Sequence, residues 1–485
     1  MKIAQLISIL QPKQVISNGV ESFDNISFDS RNVGPGFLFI AIRGTLTDGH
    51  TYIDDVCKRG AVAVICEEIP NKASENLCWI QVPDSGKALA LTAAAFYGNP
   101  SRNLKLVGVT GTNGKTTIAT TLYNLVTSLG YKAGLLSTVK NIIDGDTVAA
   151  THTTPDAITI NRLFAEMVAR GCEYCFMEVS SHAIVQHRTT GLSFAGGIFT
   201  NITHDHLDYH KTFDAYIRAK KLFFDQLPRN AFAITNADDK NGSVMVQNSQ
   251  AAISDYGVQR PADYKAQIIE SHFDGMLLNI DGHEMWSHFT GKFNASNLLA
   301  VYATALKLGF SSIETLQALS GLHPVDGRFQ TINAGCGITA IVDYAHTPDA
   351  LINVLSTINQ IRQEGNKIIT VVGAGGNRDK TKRPVMAKVA AEMSDKLILT
   401  SDNPRNENPE DILSDMETGL DYVLKAKTLK ITDRREAIRT ACMLATPGDV
   451  VLIAGKGHEN YQEINGVKHH FDDKETVSEI LKQLI

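Results

Sequence analysis

The sequence predicts an α/β protein of three domains: a small α/β N-terminal domain, a central mostly parallel sheet carrying a phosphate loop, and a C-terminal Rossmann-like α/β domain. Three observations carry that prediction. From "LKLVGVT" (104–110) onward, strand-like apolar runs alternate with helical patterns, as in a largely parallel sheet covered by helices. Two turn-rich stretches, "YGNPSRN" (97–103) and "GLHPVDGRF" (321–329), interrupt the alternation and divide the chain into 1–102, 103–324 and 325–485. A length of 485 residues suffices for about three domains with separate cores.

Composition narrows the class. Hydrophobic content of 43% with 20% charged residues is that of a soluble globular enzyme. A net charge of −6 gives no general attraction to nucleic acid or anionic membranes, so any positive site must be local. No run approaches the ~18 apolar residues of a membrane span. The opening "MKIAQLISIL" lacks a small-residue cleavage site, and Ile3, Leu6, Ile7 and Leu10 fall on helical spacing, which favours an amphipathic helix over a secretion signal. Seven scattered cysteines argue against a disulfide framework, and a cytoplasmic location is expected. Cys172 and Cys175 form a CxxC in a strand-like run without a second thiol pair, the setting of buried structural thiols rather than of a redox or zinc site.

The first 102 residues mix short β-rich pieces, "FLFIAI" and "AVAVICEE", with Gly turns. Next comes "GVTGTNGKTT" (108–117), which follows a strand and precedes a helix whose Ile118, Leu122, Leu125, Val126 and Leu129 share one face. Backbone N–H groups and the helix dipole favour a phosphate at such a junction. Lys115 would reach the outer phosphates, and the Thr116 hydroxyl could ligand Mg²⁺. The common pattern wants a Gly six residues before the Lys; Val109 stands there, so the loop is a shortened GxxGKT variant.

Glu178 ends a strand-like run in "FMEVSSHAIVQHR" (176–188), at the carboxyl edge where ligands gather in open α/β sheets. A carboxylate there suits Mg²⁺, with a helix cap or surface ion pair as the alternative. Gln186 and Arg188 are candidates for a polar or anionic substrate. "TNITHDHLDYHKTF" (200–213) crowds His204, Asp205, His206, Asp208 and His210, but lacks the HExxH pattern of a zinc helix. One or two of these beside a Mg²⁺–nucleotide site is the preferred reading, the others being solvated or structural.

In the last third, "ITAIVDY", "KIITVVGAGG", "KLILTSD" and "DVVLIAGKG" read as buried strands and "KETVSEILKQL" as a closing helix. In "VVGAGGNRDKTKRP" (371–384) the third Gly of a dinucleotide fingerprint is replaced by Arg378, so that reading fails. The turn with Arg378, Lys380, Lys382 and Arg383 suits either an anionic ligand or solvent. "TSDNPRNENP" (400–409) sets Arg405 on an Asn-Pro turn, as a fork for a carboxylate or as an exposed loop residue.

Together these stretches resemble the Mur ligase family over nearly the whole chain. The resemblance lies in "DSRNVGPGFLFIAIRGTLTDGH"; in "GTNGKTT", "TTPD", "EVSSHAIVQHR", "FTNITHDHLDYH" and "AYIRAKKLFF"; and in "DYAHTPDAL", "GAGGNRDKTKRP", "DNPR" and "GKGHENY". That family uses the shorter GTxGKT loop, which accounts for Val109. The resemblance implies an ATP-dependent amide ligase of peptidoglycan precursor synthesis, with domains for the UDP end, ATP and the incoming amino acid in that order. It implies that Gly111, Thr112, Asn113, Gly114, Lys115, Thr116 and Thr117 hold ATP, with Asn294, Arg328 and Asp343 near adenine, phosphates and ribose. Thr116 and Glu178 would serve one Mg²⁺, with His206 beside a second. Lys220 matches a lysine that relatives carbamylate with CO₂, a match its neighbour Lys221 makes easy to misplace.

Ser30, Thr153, Thr154, Ser180, Gln186 and Arg188 match contacts to UDP-MurNAc-L-Ala-D-Glu. Arg378, Asp402, Asn403, Pro404, Arg405, Gly455 and Glu459 match the amino-acid site, and DNPR there goes with meso-diaminopimelate, whose distal carboxylate Arg405 would meet. A lysine-adding or folate-polyglutamate ligase shares the ATP apparatus but not the DNPR turn or the "DSR…DGH" stretch. A phosphate-loop ATPase or switch without ligase chemistry is the alternative from another class. The expected partners are small-molecule substrates, with no nucleic acid, no membrane insertion and a monomeric state.

Overall fold

The computed structural model describes all residues except 45–46, 72–73, 151, 206, 334 and 485, and the side chains of 207 and 208. Three large sheets organise the described residues, beside a separate two-stranded one. The first runs Gln14–Ile16, Cys78–Gln81, Ala63–Cys66, Phe37–Ile40, Asn25–Ser27, parallel except for its Gln14–Ile16 edge. The helix Ile3–Leu10 closes its core with Ile3 and Leu6 buried and Ile7 and Leu10 packed beside them. The helix Ser85–Phe96 packs on the same core and reaches Ala157 of the next unit.

The second sheet has eleven strands. Lys105–Thr110 lies at its centre between Tyr174–Glu178 and Gly196–Phe199, all three parallel. Parallel pairing extends through Phe232–Asn236 and Ala252–Gly257 on one side and Ala133–Leu136 on the other. Antiparallel strands close both edges: Gly275–Ile280 and His283–Ser287 beyond Tyr264–His272, and Asn141–Ile143 and Asp146–Val148. Val107, Val109 and Phe176 bury one face of this sheet under Ile118, Leu122, Leu125 and Val126 of the helix Lys115–Ser128, with Leu129 packed alongside. Cys172 and Cys175 are buried free thiols on the other side of the sheet, and burial pushes the Cys175 thiol well above its ordinary range.

The third sheet runs Gln330–Asn333, Thr339–Asp343, Val450–Ala454, Ile368–Val372, Lys396–Leu399, Thr428–Lys430, parallel except at the first strand. The helix Asp473–Lys482 closes the chain on its core. Inside this unit Arg434 and Asp473 form a fully buried bidentate pair, 2.7 Å on both arms. Among the described residues no helix is long and apolar enough to cross a membrane.

Candidate active site

The carboxyl ends of neighbouring parallel strands converge, and that convergence builds the site. Lys105–Thr110 delivers the phosphate loop, Tyr174–Glu178 delivers Glu178, and Gly196–Phe199 delivers Thr200 and Asn201. The loop is tied down by Thr112 N–H to Asn201 O (2.8 Å), Asn113 N–H to Asn201 Oδ1 (2.9 Å) and the Thr200 hydroxyl to Asn113 O (2.6 Å). Gly114 precedes the helix at φ 89°, and a Cβ there would sit 2.6 Å from Asn297 Oδ1, so this turn needs glycine.

Two lysines meet on one carbonyl oxygen. Lys115 Nζ donates to Gly111 O (3.0 Å) and Thr112 O (2.8 Å), while Lys220 Nζ donates to Gly111 O at 2.7 Å. Lys220 is 1% exposed and lies over the Tyr216 ring. Burial, then the charge of Lys115, hold the Lys220 amine well below its ordinary range, and burial also lowers Lys115. Lys221 instead pairs with Asp225 at 2.6 Å, so of the two neighbours only Lys220 reaches the loop.

Thr116 Oγ1 donates to Glu178 Oε1 (2.9 Å), which also accepts from Thr138 N–H (2.7 Å). Glu178 Oε2 is buried without a hydrogen-bond partner among the described residues. A buried anionic oxygen lacking a donor, beside a hydroxyl and a phosphate loop, fits a hard divalent cation that keeps water and phosphate oxygens as its other ligands. His206, expected beside a second ion, lies outside the described residues. Its neighbours divide as structural and cavity groups: Asp205 pairs with Lys382 and lines the cavity, His204 stacks on Phe213, and His210 Nε2 meets Ser181 Oγ at 2.9 Å.

Arg328 bridges to the loop, donating to Thr116 Oγ1 (3.1 Å) with its guanidinium over the Tyr344 ring. Asp343 accepts from Phe329 N–H (2.6 Å); burial pushes its carboxyl up to about 6, against the pull of Arg328. Asn294 differs from expectation. Its amide turns into its own helix, donating to Thr290 O (2.9 Å) and accepting from Asn297 (3.2 Å), and Asn297 borders the cavity in its place.

A polar patch runs from Glu178 toward the first unit. Thr154 Oγ1 donates to Glu178 O (2.8 Å) and accepts from Ser180 N–H (3.0 Å). Arg188 donates to Thr154 O and to Gln186 Oε1, both at 2.7 Å, and Thr153 accepts from Thr138 at 3.1 Å. Ser30 opens the short helix Ser30–Asn32 of the first unit and does not line the cavity.

The opposite wall belongs to the third sheet. Asp402, Asn403, Arg405, Gly455 and Glu459 line it, whereas Pro404 does not. Asn403 Nδ2 donates to Glu459 Oε2 at 2.7 Å, and the fully buried Lys456 lies 3.4 Å from the same oxygen. Burial raises the Glu459 carboxyl, helped by Asp402 and opposed by Lys456. Gly455 N–H donates to Asp343 O (3.0 Å), joining the two strand ends. Arg405, at φ 52°, donates to Gly376 O (2.7 Å) and stands 3.7 Å from Glu463. Of the basic turn, Lys380 pairs with Glu407, Lys382 with Asp205, and buried Arg383 with Glu407 and Asp415; Arg378 alone has no carboxylate partner among the described residues and stays exposed at the cavity.

The cavity between the walls measures about 1630 Å³. That exceeds the ~300–1,000 Å³ typical of a site for one small ligand, so several substrates fit side by side. Asn297, Tyr344, His346, Asp349 and His458 line it although sequence reasoning assigned them no role. Three of them sit inside "DYAHTPDAL" and one in "GKGHENY", so the signal was present as position within a motif.

A phosphate loop, a buried carboxylate oxygen and a facing wall that carries both cations and carboxylates suit the class of protein that activates one small molecule with a nucleotide and joins it to another. The comparisons agree. The Mur ligase family catalytic domain matches residues 22–97, the Mur ligase middle domain 109–305 and the Mur ligase glutamate ligase domain 327–457. The UDP-N-acetylmuramoyl-L-alanyl-D-glutamate–2,6-diaminopimelate ligase of Bacteroides fragilis is 58% identical over 480 residues, 99% of each chain. A solved structure of a ligase of that name has a TM-score of 0.70 at 32% identity, covering 100% of this chain and 99% of its own. MurF ligase from Thermotoga maritima in complex with ADP shares the fold, with a TM-score of 0.63 at 20% identity over 95% of this chain and 97% of its own. The chain belongs to the Mur ligase family.

Proposed function

We propose that the chain is an ATP-dependent amide ligase that adds meso-2,6-diaminopimelate to the D-Glu side-chain carboxylate of UDP-MurNAc-L-Ala-D-Glu, in peptidoglycan precursor synthesis. The observation that carries this reading is end-to-end similarity to ligases of that name in a chain where a cavity of about 1630 Å³ joins a phosphate loop to the Asp402–Arg405 turn. The three units, divided at 102/103 and 324/325, take the UDP end, ATP and the amino acid. The enzyme works in the cytoplasm as a monomer on small-molecule substrates.

A carboxylate resists an amine because its leaving group would be oxide. Transfer of the terminal phosphoryl group gives an acyl phosphate, whose phosphate leaves readily when the amine attacks. Two anions must approach for the first step, so positioning and positive charge carry the catalysis. Lys115 and the backbone of Gly111–Thr117 cradle the phosphates, Lys115 exchanging its loop carbonyls for phosphate oxygens. Thr116 and Glu178 would hold Mg²⁺, with His206 at a second ion; the metal supplies charge neutralisation when bound. The lowered basicity of Lys220 suits carbamylation by CO₂, since only the neutral amine reacts, and the product is carboxylate-like. Asp343, Arg328 and the Asn294–Asn297 pair serve ATP, and Thr153, Thr154, Ser180, Gln186 and Arg188 the dipeptide end, with Ser30 toward UDP. Arg378, Arg405, Asn403 and Glu459 offer the two charge types that an amino acid with ammonium and carboxylate groups at both ends requires.

The test is phosphate release from ATP with Mg²⁺ and UDP-MurNAc-L-Ala-D-Glu, offering meso-diaminopimelate or L-lysine, with the tripeptide confirmed by mass. Release that depends on diaminopimelate is expected. Turnover indifferent to either amino acid would overturn the ligase reading in favour of a simple ATPase.

A further inference from the structure

The stretch from the end of the strand Thr339–Asp343 into the first turn of the helix Pro348–Ile361 lines the cavity. At one end Asp349 accepts from Asn113 of the phosphate loop at 2.9 Å. At the other, the Tyr344 ring lies 5.1 Å from the ring of His458, which neighbours Glu459. His346 sits between these ends, open to the cavity. Its Nδ1 is 2.9 Å from Tyr344 O. A carbonyl only accepts, so Nδ1 carries the hydrogen and Nε2 keeps its lone pair.

We infer that His346 is the proton acceptor for the incoming amine, an inference that rests on the ligase reading above. The amine arrives as an ammonium and is inert until it loses a proton. Nε2 takes that proton, and the freed nitrogen lone pair forms the C–N bond to the acyl-phosphate carbon. On collapse the C–O bond to phosphate breaks, phosphate leaves with the electron pair, and the second ammonium proton leaves with it. The imidazolium then returns its proton to water.

The surroundings fit a base that is neutral at rest. Burial of the turn lowers its basicity, Lys382 and Arg328 add to that effect, and Asp205 and the Tyr344 carbonyl oppose it. His458, the other imidazole facing it, is held at about 3 by burial, too weak a base for an ammonium. The Glu459 carboxylate is already engaged by Asn403 and Lys456.

The experiment compares the wild-type protein with His346→Gln in two assays containing ATP, Mg²⁺ and UDP-MurNAc-L-Ala-D-Glu. Hydroxylamine, largely neutral near pH 7, traps the acyl phosphate as a hydroxamate without needing a base. The variant should form hydroxamate within about threefold of wild type, which also reports its folding. With diaminopimelate its kcat should fall on the order of 10²-fold or more, with little change in KM, and should recover as rising pH supplies free amine. Undiminished kcat, or equal loss in both assays, would overturn the inference. If the wild type forms no hydroxamate, the ligase reading fails and the inference with it.

Discussion

Replacing Arg405 by Ala removes one cation from the amino-acid wall and little else. Both residues carry a Cβ, so the strain of the left-handed backbone is unchanged. The turn keeps its backbone ties, Arg405 N–H to Glu463 O (3.0 Å) and Asn465 N–H to Arg405 O (2.7 Å). The guanidinium is 23% exposed, and one arm is already given to Gly376 O. What is lost is a charge-assisted hydrogen bond in a partly wet site, about 1.5–3 kcal/mol. At about 1.4 kcal/mol per decade, kcat/KM for diaminopimelate should fall about 10- to 150-fold. Lysine, without a distal carboxylate, should lose nothing and gain in relative terms. Phosphate release with each substrate varied in turn measures this. Equal rises in KM for ATP and diaminopimelate, or unchanged discrimination against lysine, would refute the reasoning.

Lys220→Ala should cost on the order of 10²-fold or more in turnover and be partly restored by small carboxylates, while Lys221→Ala stays within a few-fold; the reverse ranking in phosphate release would show the wrong lysine was chosen. Glu178→Gln replaces the anionic oxygen that would meet the metal by an amide nitrogen, which cannot ligate a cation, so Mg²⁺–ATP should no longer raise the melting temperature; a wild-type ligand shift would contradict the metal assignment. Asp343 has a raised carboxyl, so ionisation costs stability above about 6 and nothing below 3.8. With a rise of about two pH units, Asp343→Asn should gain on the order of 3 kcal/mol relative to wild type as pH rises through that window; melting curves showing a pH-independent difference would refute it.

The phosphate loop was legible because strand, turn and helix are consecutive in the chain, and local chemistry dictates their geometry. The resemblance singled out Lys220 over Lys221, and the helix Phe213–Asp225 supplies the physical difference: Tyr216, Ala219, Lys220, Phe223 and Phe224 are its buried residues. The basic turn resisted sequence reading because its cations look alike until Glu407, Asp415 and Asp205, all distant in sequence, claim three of them. Asn294 and Asn297 are three residues apart and chemically identical; only the packing against Thr290 decides which faces the cavity. His346 was invisible as a base because its tautomer is set by a backbone carbonyl.

The turn that carries Arg405 is held from outside the sheet. The hairpin Tyr461–Ile464 and Val467–His470 grips it through backbone bonds, and Gln462 donates to Asp402 O at 2.8 Å. None of these ties reaches the phosphate loop, Glu178 or Lys220. If this turn meets the amino acid as proposed, its supports are distinct from those that hold the phosphate loop: it is fastened to the hairpin and to Gly376 and Glu459 of its own domain. A change of side chain at Arg405 would then alter which amine is accepted while leaving the grip on ATP as it stands.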